Sequence, residues 1–268
     1  MQLDQLLQQP FTIPSVPKVV ALLLNELGKP HIDLNRINQL ISTDPALTAR
    51  LLRLANSDAF GMQAEVGSVT QALALLDLSH VRTMAQEAAS AASLKAVPGI
   101  VLQEFWHYSL HVARLSRSLA GLSRQNPQHA FTAGLLHAMG ELGMHLNIPA
   151  VCAEISNHAA PLDLRRTHYE RHKLGYCFAA VSAGYAEQWG LPQAIVDALE
   201  HQPAPFDHGV YEPLAGVIHL ATWRARAELA QLSEKAIVVS YPDTVGVALG
   251  LNLETVMRQD PFDWIVHS

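Results

Sequence analysis

The sequence predicts an all-α protein of two packed helical lobes, and three observations predict this fold class. Apolar residues recur at spacings of three and four along most of the chain, which is the period of an amphipathic helix. The pairs Asp44-Pro45 and Asn126-Pro127 precede such stripes, and both pairs are typical of a helix start. Residues 13–96 show no alternation of apolar and polar side chains of the kind that a half-buried strand requires.

Five short helices are predicted in the first lobe, residues 1–98, after a polar lead-in over residues 1–12. Each is predicted from a stripe of apolar side chains that would face the core. In chain order the stripes are Val16, Val20, Leu23 and Leu27; Leu34, Ile37, Leu40 and Ile41; Leu47, Leu51 and Leu54; Val69, Ala72, Leu73 and Leu76; and Val81, Met84, Ala85 and Ala88. Four side chains can accept the unpaired N–H groups at helix starts: Asp33, Asp44, Ser68 in a capping box with Gln71, and Ser79.

The second lobe, residues 99–268, is predicted to begin after Val97-Pro98-Gly99, which is too short and too apolar to be a free linker. Its helices are predicted from start signals that are followed by apolar stripes. In chain order these are Glu104 to Leu122, Asn126-Pro127 to Leu142, a start at Pro149, a capping box of Thr167 and Glu170 leading to Tyr185, a restart at Leu191-Pro192, and Glu212 to Leu229. In the tail from Gln231, residues 236–239 could be a strand or a buried turn of helix, and residues 245–249 and 253–257 are predicted to be helical.

Composition and charge argue against several classes of protein. The net charge is −6 and the basic residues are scattered, so nucleic acid is not an expected partner. No uncharged run of about 20 apolar residues is present, and the first residues lack the pattern of a signal peptide, so no membrane association is expected. Cys152 and Cys177 are too few for a disulfide framework; we expect buried thiols and a cytoplasmic location.

The strongest functional cue is the stretch from Phe105 to Met144, where two predicted helices carry internal histidines. Imidazoles from two helices of a bundle could form a metal cradle. A hydrolytic metal site also needs carboxylate ligands and an open position for water. From Trp106 to Gly140 there is no Asp or Glu. The residues therefore indicate the architecture of a metallohydrolase without the groups for its chemistry.

Each histidine of this stretch has a structural interpretation beside the functional one. His107 and His111 are four residues apart and could share a helix face, as zinc-binding pairs do, but 14 histidines make such spacing expected by chance. His137 lies in an otherwise apolar helix, so its imidazole is expected to be buried and to need a partner. It could be a hydrogen-bonded core residue or part of a remnant ligand pocket, and both alternatives stay open.

The first lobe resembles the HDOD (HD-related output domain) family of bacterial signalling proteins. The run Asp44 to Ser57 carries most of the resemblance, together with Ile13-Pro14-Ser15-Val16-Pro17 and residues 69–76. The second lobe resembles the HD-type helical core of the same family through Phe105-Trp106, Ala133-Gly134-Leu135-Leu136-His137, Leu174-Gly175 and Trp189-Gly190-Leu191-Pro192. The resemblance covers about residues 10–230 as one continuous unit. It implies an all-α fold and a role in signalling or regulation.

The chain departs from the catalytic relatives of this family at the compared metal ligands. Their His-Asp pair falls on His137-Ala138, so its carboxylate is lost, and a lysine often found after it falls on Glu141. The other compared positions fall at or beside Tyr108 (with His107 and His111 near it), on Phe178, near His201-Gln202-Pro203, and near Ala221-Thr222. The HDOD group is usually regarded as non-catalytic, so the resemblance implies no enzyme activity, no bound metal and no other cofactor.

Three hypotheses of function follow. The first is a non-catalytic signalling module that acts through contacts with proteins of unknown identity, and a second copy of the chain is one candidate partner. The second is a divergent metal-dependent phosphohydrolase, and the third is a nucleotide or cyclic-dinucleotide binding protein without turnover. The remnant pocket is predicted from His107, Tyr108, His111, His137, His201 and Gln202, and a partner-contact surface from Arg50, Arg53, Asn56 and Ser57. Asn56 could equally hold the end of its helix or the loop that follows.

Overall fold

A computed structural model describes residues 1–61, 65–91, 96–163, 165–207, 209 and 211–259. Every regular element within these residues is a helix, and no strand occurs among them, which confirms the all-α prediction. None of the described helices is both long enough and apolar enough to cross a bilayer.

The first part of the chain contains short helices joined by tight turns, as the stripes predicted. Their bounds are α1 (Leu3–Leu7), α2 (Pro17–Leu27), α3 (Leu34–Ser42), α4 (Pro45–Ala55), α5 (Val69–Leu75) and α6 (Leu78–Ala91), with a 3-10 turn at Asp58–Phe60. Most of the predicted stripes are buried, but Leu34 is 54% exposed, and Val16, Leu54 and Leu73 are half-buried. Leu34 is the first residue after the cap, where its side chain lies outside the packed face of the helix.

Among the predicted helix caps, those of Asp33 and Asp44 are confirmed, whereas the complete capping box at Ser68 and Gln71 and the cap at Ser79 are wrong. Asp33 accepts from two backbone N–H groups at the start of α3, and Asp44 does so at the start of α4. Ser68 Oγ accepts from Gln71 N (3.2 Å), although Gln71 Oε1 accepts from Gly67 N, one residue before the cap. Ser79 does not cap a helix, because α6 already begins at Leu78.

The lead-in over residues 1–12 is not only polar coil. It contains the short helix α1, and Leu6 of that helix is fully buried. Leu6 belongs to a small apolar cluster that also contains Cys152, Phe178 and Tyr185. A single apolar contact with residues far along the chain gives no periodic signal, which is why the sequence did not predict it.

The second part of the chain holds longer helices. Their bounds are α7 (Leu102–Leu122), α8 (Pro127–Leu136), α9 (Met139–Asn147), α10 (Pro149–Ser156), α11 (Arg166–Leu174), α12 (Phe178–Gln188), α13 (Gln193–His201), α14 (Pro213–Leu229), α15 (Glu234–Ser240), α16 (Asp243–Leu249) and α17 (Leu253–Met257).

Four predictions in this part need correction. The helix predicted to lead from Thr167 and Glu170 to Tyr185 is two helices, α11 and α12, because the chain leaves the helical conformation at Gly175 (φ 83°). The helix predicted from Asn126 to Leu142 is two helices, α8 and α9, with the break at His137 and Ala138. Thr167 does not form a capping box with Glu170, because α11 begins at Arg166 and places Thr167 inside the helix. The tail is helical at α15, but Val238 and Val239 are 62% and 78% exposed, so this helix is not a buried turn.

Glycines allow the helices around His137 to approach closely. A Cβ on Gly134 of α8 would lie 2.8 Å from Ala113 Cα of α7. A Cβ on Gly140 of α9 would lie 2.0 Å from the Phe178 carbonyl oxygen of α12. Both distances are below any that real Cβ atoms adopt, so these two helix pairs pack as they do because the side chains are absent.

One continuous apolar core contains buried residues from both predicted lobes, from Ile13 to Val256. At the predicted boundary Val97 is buried in this core, and the Pro98 carbonyl accepts a hydrogen bond from His145 Nδ1 (2.7 Å). The joint is therefore held against α9. The division of the chain into domains at residues 98 and 99 stays a prediction.

Candidate functional site

His137 lies at the break between α8 and α9, and its side chain is fully buried. Its Nδ1 donates to the Gly134 carbonyl (2.8 Å), because a carbonyl oxygen can only accept. Burial, assisted by the nearby positive charge of Arg226, lowers the pKa of His137 to about 3. The ring is therefore neutral at physiological pH. Its Nε2 carries a lone pair that is buried and without a hydrogen-bond partner.

Tyr108 of α7 is buried beside His137, with the two ring centroids 5.2 Å apart. Burial raises the pKa of Tyr108, and the Arg226 guanidinium beside it opposes that shift. The Tyr108 hydroxyl oxygen is buried and lacks a partner of good geometry. A phenol and an imidazole thus lie together with unused hydrogen-bonding capacity.

Gln202 is the third predicted pocket residue that the fold brings to this place. It directly follows α13, and its Nε2 donates to the carbonyl oxygens of His137 (2.9 Å) and Leu199 (3.0 Å). Its own backbone carbonyl accepts from His219 Nδ1 of α14 (2.8 Å). His201, the residue before it, is half-buried. Gln202 therefore connects the α8–α9 break to α14.

His107 and His111 do not join this group. His107 is exposed on α7, and His111 Nε2 lies 2.6 Å from Glu228 Oε2 on α14. This contact ties α7 to α14 near the surface. The i, i+4 spacing of the two histidines therefore reflects a helix face that is partly solvated and partly paired with a carboxylate.

A cleft of about 250 Å³ opens between α11, α12, α14 and α15. Its lining residues include aromatic, hydroxyl and imidazole side chains and one guanidinium: Thr167, Phe178, Gln202, Pro203, His219, Thr222, Trp223, Arg226, Ser240 and Pro242. No carboxylate is among these lining residues. Burial lowers the pKa of His219, so this imidazole is neutral and Arg226 supplies the charge of the cleft.

A buried ionic cluster lies next to this site, and the sequence reasoning missed it. Arg166 at the start of α11 is fully buried, and its Nε lies 2.9 Å from Glu141 Oε1 and 2.9 Å from Glu170 Oε1. Its Nη1 donates to the Ala159 carbonyl (2.8 Å). Glu170 Oε2 accepts from Phe178 N (2.8 Å), which fixes the start of α12. The sequence contained one signal of this cluster: Glu141 and Arg166 are charged residues at positions that pack against apolar helices.

His145 completes the cluster as a neutral side chain. Its Nδ1 donates to Pro98, so its Nε2 accepts from Arg166 Nη2 (3.0 Å). Burial lowers the pKa of His145, and Arg166 opposes its protonation. Two carboxyls thus share one guanidinium. Burial raises the pKa of both, that of Glu170 to about 8, and the charge of Glu141 also raises the pKa of Glu170.

The predicted partner-contact residues divide between exposed and structural roles. Arg53 is exposed on α4 and lines a second cleft with Phe11, Tyr185 and Trp189, whereas Arg50 is half-buried. Asn56 is buried, donates to the Val66 carbonyl (2.9 Å) and accepts from Val66 N (3.0 Å), so it holds the loop after α4. Ser57 and Arg50 bond to nearby carbonyls: Ser57 Oγ to Leu54 (2.7 Å) and Arg50 Nη2 to Ile13 (3.4 Å).

The thiols of Cys152 and Cys177 are both free and buried. Burial raises the pKa of both thiols, that of Cys152 to about 12. They are protonated at physiological pH, so neither is an activated nucleophile.

The sequence model of the HDOD domain matches residues 13–205. The chain belongs to the HDOD family. The match includes Asp44 to Ser57 and the α8–α9 break at His137, so the HDOD domain contains most of the residues described above.

Solved structures of similar proteins agree with this fold. The HDOD domain is 28% identical to the MmoQ response regulator of Methylococcus capsulatus strain Bath, with a TM-score of 0.73 over 92% of this chain and 97% of that one. A protein of Shewanella amazonensis SB2B, whose given name proposes a phosphohydrolase, is 29% identical, with a TM-score of 0.55 over 95% of this chain and 91% of that one. An HDOD domain protein of unknown function from Geobacter sulfurreducens is 20% identical with a TM-score of 0.53, over 98% and 93% of the two chains, and shows the fold alone.

Among curated proteins, an uncharacterized protein of Treponema pallidum (strain Nichols) is 22% identical over 217 residues. The alignment covers 80% of this chain and 42% of the relative, so the chain spans about two fifths of that relative's length. Together with the response regulator, these comparisons support a signalling module related to HD domains.

Proposed function

We propose that this HDOD domain is a non-catalytic signalling module that acts through protein contacts and keeps the cleft beside His137 as the remnant of an HD pocket. The observation that carries the proposal is the composition of that remnant. At or near the positions that the resemblance matches to the metal ligands of catalytic relatives, this chain has Phe178, Gln202 and Thr222, which line the cleft. At another of these positions it has Tyr108, whose aromatic ring packs on His137.

The chemistry of these side chains supports the absence of turnover. A phenyl ring binds no divalent ion, and an amide and a single hydroxyl are weak neutral ligands compared with carboxylates. His219 in the cleft lining and His137 behind Gln202 each keep one imidazole lone pair. Two nitrogen ligands without a carboxylate are too few for a hydrolytic metal site. In the described part of the chain, no three His, Cys, Asp or Glu side chains lie together in a way that could hold a metal ion.

The carboxylate nearest to the compared His-Asp pair is engaged elsewhere. Glu141 is fully buried, and its Oε1 and Oε2 lie 2.9 Å and 3.0 Å from Arg166 Nε. A carboxylate held by a buried guanidinium is a poor metal ligand, because the metal would have to displace the ion pair. Glu141 therefore stabilises the packing of α9 against α11 instead of replacing the lost Asp.

The test is turnover of a phosphodiester and of a phosphomonoester with added Mn²⁺, Fe²⁺ or Mg²⁺, on protein purified without an affinity tag. We expect no rate above the metal-only blank and no stoichiometric metal in the purified protein. The variants are His137→Ala and, as the matched control, His107→Ala, which removes an exposed imidazole from the neighbouring helix. Turnover that is lost in the first variant and kept in the second would overturn the proposal in favour of a phosphohydrolase.

The protein-contact part of the proposal needs its own measurement. Arg53 is the exposed member of the predicted contact set, and it lines a cleft with the aromatic residues Phe11, Tyr185 and Trp189. We expect Arg53→Glu to weaken association with a partner identified by cross-linking in the native cell. Arg36→Glu, an exposed charge reversal on α3, serves as the control. Equal loss of association in both variants, or in neither, would count against Arg53 as a contact.

A further inference from the structure

Arg226 gives the cleft a positive charge that no described carboxylate pairs with. It lies on α14, one helical turn after Thr222, and both side chains line the cleft. Among the described residues, no Asp or Glu oxygen lies within ion-pair distance of its guanidinium. Its Nε is buried and has no hydrogen-bond partner. The Tyr108 hydroxyl is a neutral hydrogen-bonding neighbour of this guanidinium and does not balance its charge. A partly buried cation without an ion-pair partner is costly, so its presence in the fold points to a binding role.

The carboxyl groups near Arg226 form their ion pairs with other cations. Glu141 pairs with Arg166, and Asp163 pairs with Arg165 at 2.8 Å. Glu141 shares the Arg166 guanidinium with Glu170, and Asp163 has that of Arg165, so none of these three carboxyls forms an ion pair with Arg226. An anion that entered the cleft would meet this charge without competing against a protein carboxylate in the lining.

The polar groups around Arg226 are suited to an oxyanion. Thr222 Oγ1 and Ser240 Oγ at present donate to carbonyls of their own helices, and a hydroxyl can rotate to donate to a ligand instead. Trp223 Nε1 donates to Ser240 Oγ at 3.2 Å, which fixes that hydroxyl at the edge of the cleft. A guanidinium presents parallel N–H groups that match the oxygens of a phosphate or a carboxylate.

The size of the cleft limits what enters it. Its volume of about 250 Å³ is below the roughly 300–1,000 Å³ of pockets that enclose a drug-sized ligand. It is more than ten times the roughly 10–15 Å³ that one water requires. The cleft therefore fits an anionic head group or a small free anion better than a whole dinucleotide.

We infer that the cleft binds a small anion through a phosphate or carboxylate group, with the Arg226 guanidinium as its charge partner in the place where catalytic relatives hold metal. The inference rests on the proposed function in one respect only: both require that the cleft holds no metal, so the anion must bind without one. The ligand would bridge α14 to the segment after α13, because Arg226 and Gln202 line the same cleft. Occupancy would thus stabilise the packing of these helices, which is a means by which a small anion could regulate a signalling module.

The experiment measures anion binding to the full chain in the presence of a chelator. Titrations use inorganic phosphate, pyrophosphate and malonate at matched ionic strength, with chloride as the reference, and are followed by calorimetry and by tryptophan fluorescence. We expect saturable binding of at least one anion, with a rise in Tm. Comparison of the phosphate and malonate arms decides between a phosphate and a carboxylate ligand.

The variant that tests the assignment is Arg226→Gln, with Arg36→Gln on α3 as the exposed control. We expect Arg226→Gln to weaken binding by about tenfold or more, since a charge-assisted pair of hydrogen bonds is lost, and Arg226→Lys to weaken it less. Circular dichroism and the Tm of each variant show that it is folded.

Three outcomes would overturn the inference: no saturable binding of any anion, equal binding by wild type and Arg226→Gln, or binding that appears only when metal is added. The last outcome would also weaken the proposed function, whereas the first two would leave it standing. Turnover with added metal would overturn the proposed function and say nothing against anion binding in the chelator. The two proposals can therefore fail separately.

Discussion

Replacing Arg166 by methionine should destabilise the fold by about 3–5 kcal/mol at pH 8, the range found when one partner of a buried ion pair is removed. The structure supplies the reason. The side chains of Arg166, Glu141 and Glu170 are all 0–1% exposed, and the guanidinium Nε lies 2.9 Å from an oxygen of each carboxylate. Methionine fills similar space but leaves two buried carboxyls without a cation. The Ala159 carbonyl would also lose its donor.

The cost should depend on pH, with a sign that follows from the raised pKa values. Burial raises the pKa of Glu170 to about 8, so between the unfolded value of 4.5 and about 8 the folded state binds more protons than the unfolded state. Stability from this group is therefore fully present below pH 4.5 and is lost as the pH rises through about 8. Without Arg166 both carboxyl pKa values rise further, so the variant should lose more stability than wild type as the pH rises.

Urea denaturation of wild type and Arg166→Met at pH 5.5 and pH 8 measures this difference. We expect the destabilisation to be smaller at pH 5.5, where the carboxyls of the variant are protonated. The triple variant with Glu141→Gln and Glu170→Gln removes the buried charges as well and should recover part of the loss at pH 8. A cost below about 1 kcal/mol at pH 8, the value expected of an exposed pair, or a larger cost at pH 5.5, would refute the reasoning.

Two further predictions use matched controls on neighbouring helices. Asp44→Ala should lower the stability of the fold more than Asp33→Ala, for which a loss of about 1 kcal/mol is expected. Asp33 is an exposed helix cap, whereas Asp44 is buried and also accepts a hydrogen bond from Val16 N (2.6 Å). Thermal melts of the two variants measure the difference, and equal losses would contradict a role for the Val16 contact. Gly140→Ala should be strongly destabilising, because the new Cβ would lie 2.0 Å from a backbone oxygen. Gly121→Ala has open space at its Cβ and should stabilise α7 by about 0.5–1 kcal/mol. Denaturant midpoints that move in the same direction for both variants would show that helix propensity, and not packing, determines the effect at Gly140.

Much of the fold could be predicted because its signals are local. Asp33, Asp44 and Asn126 each accept N–H groups two and three residues ahead, and the apolar stripes need only the 3.6-residue period. The break at His137 was not predicted, because the residues on both sides are good helix formers. It becomes visible only through Ser182 and Gln202, which both donate to the His137 carbonyl and so replace its intrahelical partner.

The candidate site was predicted in part, for the same reason. Tyr108, His137 and Gln202 were selected by resemblance, and the fold brings them together, while His107 and His111 follow the outer face of the helix. Arg226 was not selected, because an arginine near the end of an amphipathic helix is usually solvated. Its burial depends on the cleft formed with the segments at Gln202 and Ser240.

By itself the sequence determined the helical class, the positions of most helix starts and the absence of carboxylates between Trp106 and Gly140, since each of these depends on residues within about one turn or on composition. Only the tertiary structure decided which charges meet. Glu141 and Arg166 are 25 residues apart and Gln202 reaches a carbonyl 65 residues away, so their partners depend on how whole helices pack. The packing of the helices also places Arg226 in the lining of a cleft, where no carboxylate of the described residues forms an ion pair with it.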